Sequence, residues 1–180
     1  MDPLHLIARH YEPHSLAYEA LVQHSRMVAA KCLSIAERVS HLGPDLAFLE
    51  EAAMLHDIGI FMTDQPSIGC FGDEEYICHG YLGRELLEKA GFPVHALVCE
   101  RHVGAGISLL EIEDLGLHLP ARDMLPLTIE EKIICYADKF FSKNGKGAPR
   151  EKSAAAILAG LEPYGADKVE RFRGWMQLFG

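Results

Sequence analysis

No apolar run in this 180-residue chain approaches the roughly 20 residues of a membrane span, so no transmembrane helix is expected. The opening residues, Met1-Asp2-Pro3-Leu4-His5, show no basic segment followed by an apolar one, and no secretory signal is read there. Basic residues are the minority. The net charge of −9 argues against coating a nucleic-acid polymer, which needs a cationic surface. It still permits a few cations around a phosphate pocket. The five cysteines (Cys32, Cys70, Cys78, Cys99 and Cys135) include no pair at zinc-knuckle or redox spacing. Cys32, Cys78 and Cys135 fall within apolar helical patterns, so reduced buried thiols and a cytoplasmic location are expected. No segment reads as a strand, and no internal repeat is visible. The expectation is one all-α domain over residues 1–180, long enough for a substantial core.

Helix signals are present instead. Asp2-Pro3 predicts a capped short helix that ends before Pro13. Ser15 predicts the cap of a longer one, in which Leu21, Val28, Cys32, Ile35 and Val39 recur at steps of three and four. Gly43-Pro44 should stop one helix and start the next. Leu46, Leu49, Ala53, His56 and Ile60 form a second stripe. Residues 61–76 read as a loop. A helix over about 75–90 ends at Gly91, and Pro93 opens another. Residues 103–126 read as a long irregular segment of the kind that often forms an active-site lid. Thr128 and Glu131 have the capping-box spacing. Asn144-Gly145-Lys146-Gly147 reads as a flexible turn, and residues 153–161 and 166–179 as two closing helices.

Polar residues interrupt these apolar stripes. His56-Asp57 stands in Ala52-Ala53-Met54-Leu55-His56-Asp57-Ile58-Gly59. Burying an unpaired imidazole and carboxylate among such neighbours costs several kcal/mol. His24, His79, His102 and Asp138 take comparable places on other predicted helices. A lone histidine of this kind is more often a hydrogen-bonded core residue. Several together would each need a buried partner, and one shared metal centre satisfies them all. Imidazole and carboxylate ligands without thiolate suit Fe, Mn, Zn, Ni or Co. Six ligands exceed the needs of one tetrahedral zinc, so two divalent ions with Asp57 as bridge are expected. Such a pair polarises a phosphoryl group and acidifies a bridging water.

The ordered series His24, His56-Asp57, His79, His102, Asp138 resembles the HD-domain superfamily of metal-dependent phosphohydrolases, in its HDIG form through Ile58-Gly59. The resemblance covers residues 15–145 or so. It implies an all-α bundle with a core of about five helices plus terminal helices. The added His79 and His102 resemble the two-metal branch. By that likeness His24, His56, Asp57 and Asp138 hold one ion, and Asp57, His79 and His102 hold the other. The chain differs from cyclic-dinucleotide phosphodiesterases of the superfamily. Ile60 stands where they carry Lys, and Val103-Gly104-Ala105-Gly106 stands in place of their Gly-Tyr-Pro. The paired synthetase domain of long ppGpp-metabolising enzymes is absent from this sequence as well. The surroundings of His79 and Asp138 resemble small diadenosine-polyphosphate hydrolases more closely.

Four cations near the ligands in sequence are candidate phosphate-binding residues: Arg84, Arg101, Lys139 and Lys143. Lys139 is the foremost of them and, with Asp57, the candidate catalytic pair. Asp64 is a candidate for orienting water or metal, and Glu51 for supporting the ligands from behind. His5, His10, His14, His41, His95 and His118 fall outside the pattern and are read as non-ligands. The implied activity is hydrolysis of a small phosphorylated compound, a nucleotide above all, by a metal-bound hydroxide, with a homodimer left open. Two rivals use the same residues: a di-iron oxygenase on this fold, and a non-catalytic nucleotide-binding regulatory module. Metal content and turnover separate them.

Overall fold

The computed structural model describes residues 1–143 and 151–180. The turn expected at Asn144–Gly147 lies outside those residues. The described chain is all-α: α1 (Pro3–Ile7), α2 (Leu16–Arg38), α3 (Leu46–Leu55), α4 (His79–Lys89), α5 (Pro93–Arg101), α6 (Leu109–Leu115), α7 (Ile129–Asp138), α8 (Ala154–Leu161) and α9 (Ala166–Phe179). Among the described residues no helix is long and apolar enough to cross a membrane.

The helix ends follow local chemistry. The Asp2 side chain accepts from the Leu4 and His5 amides, Ser15 from Tyr18, and Ser153 from Ala156. Thr128 and Glu131 form the expected capping box at α7. At 43–45 the start differs from expectation. Gly43 ends a 3-10 turn in the left-handed region (φ 65), and Asp45, not Pro44, caps α3 through the Phe48 amide. Two further corrections fall in the presumed loops. Residues 61–76 hold a minimal antiparallel pair, β1 (Asp64–Gln65) with β2 (Cys70–Phe71), where no strand was expected. Residues 103–126 are not irregular throughout, since α6 forms there on a second capping box, Ser108 with Glu111. Its Ser-x-x-Glu spacing equals the Thr-x-x-Glu of α7 and was readable in the sequence.

Among the described residues, the two larger of three apolar clusters flank the site. One joins the second half of α2 (Val28, Cys32, Ile35) to α3, α7, α8 and α9. Phe172 and Phe179 of α9 are fully buried in it, with ring centroids 5.0 and 5.4 Å from Tyr136. Each such ring contributes about 2–3 kcal/mol relative to an exposed one. The other cluster joins Leu21 and Val22 of α2 to α1, α4, α5 and the turn after α3. His24 lies between Leu21 and Val28, so it falls where α2 passes from one cluster to the other. Ala53 and Met54 belong to the first cluster and Leu55 and Ile58 to the second, with His56-Asp57 between them. The polar residues therefore occupy the seam between two cores.

Candidate metal centre

Five helices bring the six residues together, and all six are buried. Only His24 lies away from the ends of its helix. His56 and His102 cap the C-termini of α3 and α5, Asp138 is the last residue of α7, and His79 is the first of α4. The C-terminal ends of α3 and α5 leave backbone carbonyls without intrahelical partners, which His56 and His102 use, while His79 uses a carbonyl of the 3-10 turn before α4. His56 Nδ1 lies 2.7 Å from Ala53 O, His79 Nδ1 2.5 Å from Tyr76 O, and His102 Nδ1 2.6 Å from Cys99 O. In each case the carbonyl is three residues back. A carbonyl only accepts, so Nδ1 carries a proton, and in the neutral imidazole Nε2 keeps its lone pair for the centre.

Those Nε2 atoms converge on Asp57. Its Oδ2 stands 3.2 Å from His24 Nε2 and 3.0 Å from His56 Nε2. Asp138 Oδ1 completes that group, 2.9 Å from His24 Nε2 and 3.5 Å from His56 Nε2. The other Asp57 oxygen, Oδ1, stands 3.2 Å from both His79 Nε2 and His102 Nε2, which are 3.1 Å apart. Edges near 3 Å are those of a coordination shell with bonds of about 2.1 Å. The six residues therefore form two ligand groups that share one carboxylate.

The donor chemistry fits a metal. Both Asp57 oxygens and His56 Nε2 are buried without a partner in hydrogen-bond geometry, although charged atoms stand within about 3 Å. Each would gain a partner from a metal ion held in its own ligand group. Burial alone raises a carboxyl pKa, but His56 and Lys143 outweigh it at Asp57, which stays well below the usual range. Asp138 is held low against the same penalty, chiefly by Lys139. Burial disfavours charge on His56, yet Asp57 and Asp138 raise it to about 9. His102 is pushed down to about 3 by burial and by positive neighbours, despite Asp57. Each of the two groups could hold a metal ion, and the donors do not single out one element.

Glycines let the second histidine pair approach. A Cβ on Gly59 would stand 2.2 Å from His79 O and 2.6 Å from Gly83 N. A Cβ on Gly83 would stand 2.2 Å from Cys99 Sγ. The turn after Asp57 thus rests on bare α4 backbone, which α5 also meets. Gly80 and Gly83, one helical turn apart, were the sequence signal for this crossing.

The candidate cations have different surroundings. Lys143 Nζ lies 2.6 Å from Asp57 Oδ2 and Lys139 Nζ 2.7 Å from Asp138 Oδ2. Arg84 is engaged by Glu88 (2.8 Å) and by the buried Glu100 (2.5 Å), and Arg101 by the buried Glu131 (2.8 Å). Asp64 is exposed in β1 and belongs to neither ligand group. Glu51 does not back the ligands; it meets the N-terminal ammonium and His95 Nε2 at 3.2 Å. Its side chain leaves α3 on a different face from His56. The six histidines read as non-ligands lie outside both groups. Tyr76 was missed. Its ring lies over His79, with centroids 4.7 Å apart, and Lys143 Nζ stands 5.8 Å from its centre. Its place one turn before His79 was the available signal.

Comparison with known proteins agrees with this geometry. The chain is 36% identical to the uncharacterized protein MJ0778 of Methanocaldococcus jannaschii over 127 residues, 69% of this chain and 68% of that one. It is 37% identical over 99 residues to a tRNA (cytidine(56)-2'-O)-methyltransferase of Picrophilus torridus, covering 54% of this chain and 25% of that protein. A protein of the same name from Thermoplasma volcanium is 30% identical over 127 residues, 70% of this chain and 33% of that one. The similarity spans a third or less of each methyltransferase. No solved structure matches the chain. The family model described as HD domain matches residues 21–142, a span that holds all six converging residues. On that match the chain belongs to the HD-domain family.

Proposed function

We propose that the protein is a metal-dependent phosphohydrolase acting on a small phosphorylated compound, a nucleotide above all. The observation that carries this reading is Asp57, whose two oxygens face two separate histidine pairs. His24, His56, Asp57 and Asp138 would hold one ion, and Asp57, His79 and His102 the other. When bound, such ions polarise a phosphoryl group and acidify water.

The chain's own residues supply the rest. Asp57 and Asp138 bring two negative charges to the two groups, fewer than two divalent ions bring positive ones. The loaded site is thus cationic and favours an anion such as a phosphate. Tyr76 and Lys143 flank it with a ring and an ammonium, a surface suited to a phosphorylated small molecule. The net charge of −9 disfavours a polymeric nucleic acid as substrate.

The test is release of phosphate or nucleotide from nucleoside monophosphates, bisphosphates and dinucleotide polyphosphates. Chelator-stripped protein is assayed with added Mn²⁺, Fe²⁺, Co²⁺, Ni²⁺ or Zn²⁺. Turnover that disappears in Asp57→Ala supports the reading. No turnover with any combination, or equal turnover in Asp57→Ala, overturns it.

A further inference from the structure

Lys139 and Lys143 both meet a ligand carboxylate, but on different kinds of oxygen. Lys139 contacts Asp138 Oδ2 at 2.7 Å, while Asp138 turns Oδ1 to His24 and His56. That carboxylate serves both partners at once. Lys143 contacts Asp57 Oδ2 at 2.6 Å. This is the oxygen that faces His24 Nε2 at 3.2 Å and His56 Nε2 at 3.0 Å. A side-chain ammonium and a divalent ion drawn to the same oxygen oppose each other, because like charges at such separations repel in a buried site.

We propose that Lys143 competes with metal for Asp57, that metal binding displaces its ammonium, and that the displaced ammonium binds the substrate's phosphate. Lys139 by contrast is a positioning residue that steadies Asp138. Lys143 lies beyond the end of α7, outside the helix, and its four-carbon stem swings readily. The Tyr76 ring, 5.8 Å from Nζ, offers a cation–π surface beside the centre. Deprived of Asp57, the ammonium is satisfied by an anion, and a phosphate oxygen is suited to it. The competition rests on the metal-centre reading, and the phosphate half rests on the proposed function.

Mn²⁺ binding to the chelator-stripped full chain, followed by calorimetry, tests the first half. Lys143→Met should bind Mn²⁺ on the order of tenfold more tightly than the parent, since a competing charge is gone. Lys139→Met should bind it about tenfold more weakly, as expected when a supporting partner is lost. Lys143→Arg keeps the charge and should stay close to the parent. A Lys143→Met affinity equal to or below the parent's overturns the competition. Thermal melting of each variant confirms the fold, and Lys143→Gln or Lys139→Gln replaces the corresponding Met variant if that fails to fold.

Inorganic phosphate titrated into Mn²⁺-loaded protein tests the second half. Lys143→Met should bind it about tenfold more weakly. Tighter Mn²⁺ with unchanged phosphate affinity overturns the handover. The Mn²⁺ titration does not depend on hydrolysis. Absence of turnover alongside the expected Mn²⁺ pattern would therefore count against the proposed function and not against the competition.

Discussion

Gly59 and Gly83 meet backbone to backbone: a Cβ on Gly59 would stand 2.6 Å from Gly83 N and 2.2 Å from His79 O. The residue that follows the His-Asp pair by two is thus also the residue that sets its distance from α4. Gly59→Ala should destabilise the protein by about 3 kcal/mol and weaken metal binding together, because α4 carries His79. Urea unfolding and Mn²⁺ titration measure the two effects. An unperturbed variant would show that the crossing yields more easily than these contacts imply.

Asp57 joins the two ligand groups, so its loss should differ from the loss of one histidine. Asp57→Ala should lose both ions. His79→Ala should lose one and retain the other. Elemental mass spectrometry on protein purified without chelator or affinity-column metal counts them. Equal stoichiometry in His79→Ala and the parent would return His79 to the role of a core histidine.

Metal binding should depend on pH through His56. Its pKa is raised to about 9, and a ligand imidazole must be neutral. Below pH 9 each binding event expels about one proton from this residue, so affinity should climb with pH and level off above that value. His102, pushed down to about 3, adds no proton release in the neutral range. Stability of the stripped protein should run the other way. The raised His56 pKa contributes stability that is complete below the unfolded value of 6.5 and lost as pH rises through about 9. Calorimetry in buffers of different ionisation enthalpy, with melting curves of stripped protein, checks both signs.

Glu100 is 1% exposed and receives Arg84 at 2.5 Å and Arg122 at 2.6 Å. Glu100→Ala should cost about 2–3 kcal/mol, less than a wholly buried pair, because both arginines reach solvent. Arg84→Ala should lower stability with little change in KM. A several-fold rise in KM at unchanged stability would place Arg84 at the substrate instead.

Much of this architecture was legible locally. Asp2, Ser15, Thr128 and Ser153 cap the helices that their side chains predict, because a cap needs only its own first turn. The same rule was available at Ser108 and Glu111, where glycines and prolines on either side hid a seven-residue helix. The two-residue strands escaped because so short a pair shows no alternation to read. Glu51 looked like a supporting residue from its distance along α3. That distance does not settle which face it shares, and its partners are the N-terminus and His95.

His24, His56, Asp57, His79, His102 and Asp138 could be named from sequence because each breaks an apolar pattern, and burial of a polar group demands a partner. Pattern alone could say that these residues point inward. It could not say which carboxylate oxygen faces which imidazole, since that depends on how five helices cross. Only the tertiary structure turned Asp57 Oδ2 toward His24 and Oδ1 toward His79. It alone set Lys143 against a ligand oxygen and Lys139 against a spare one. Both lysines follow Asp138 within five residues, so their sequence context is nearly the same. What separates them is the direction in which the chain leaves α7, and no local rule encodes that.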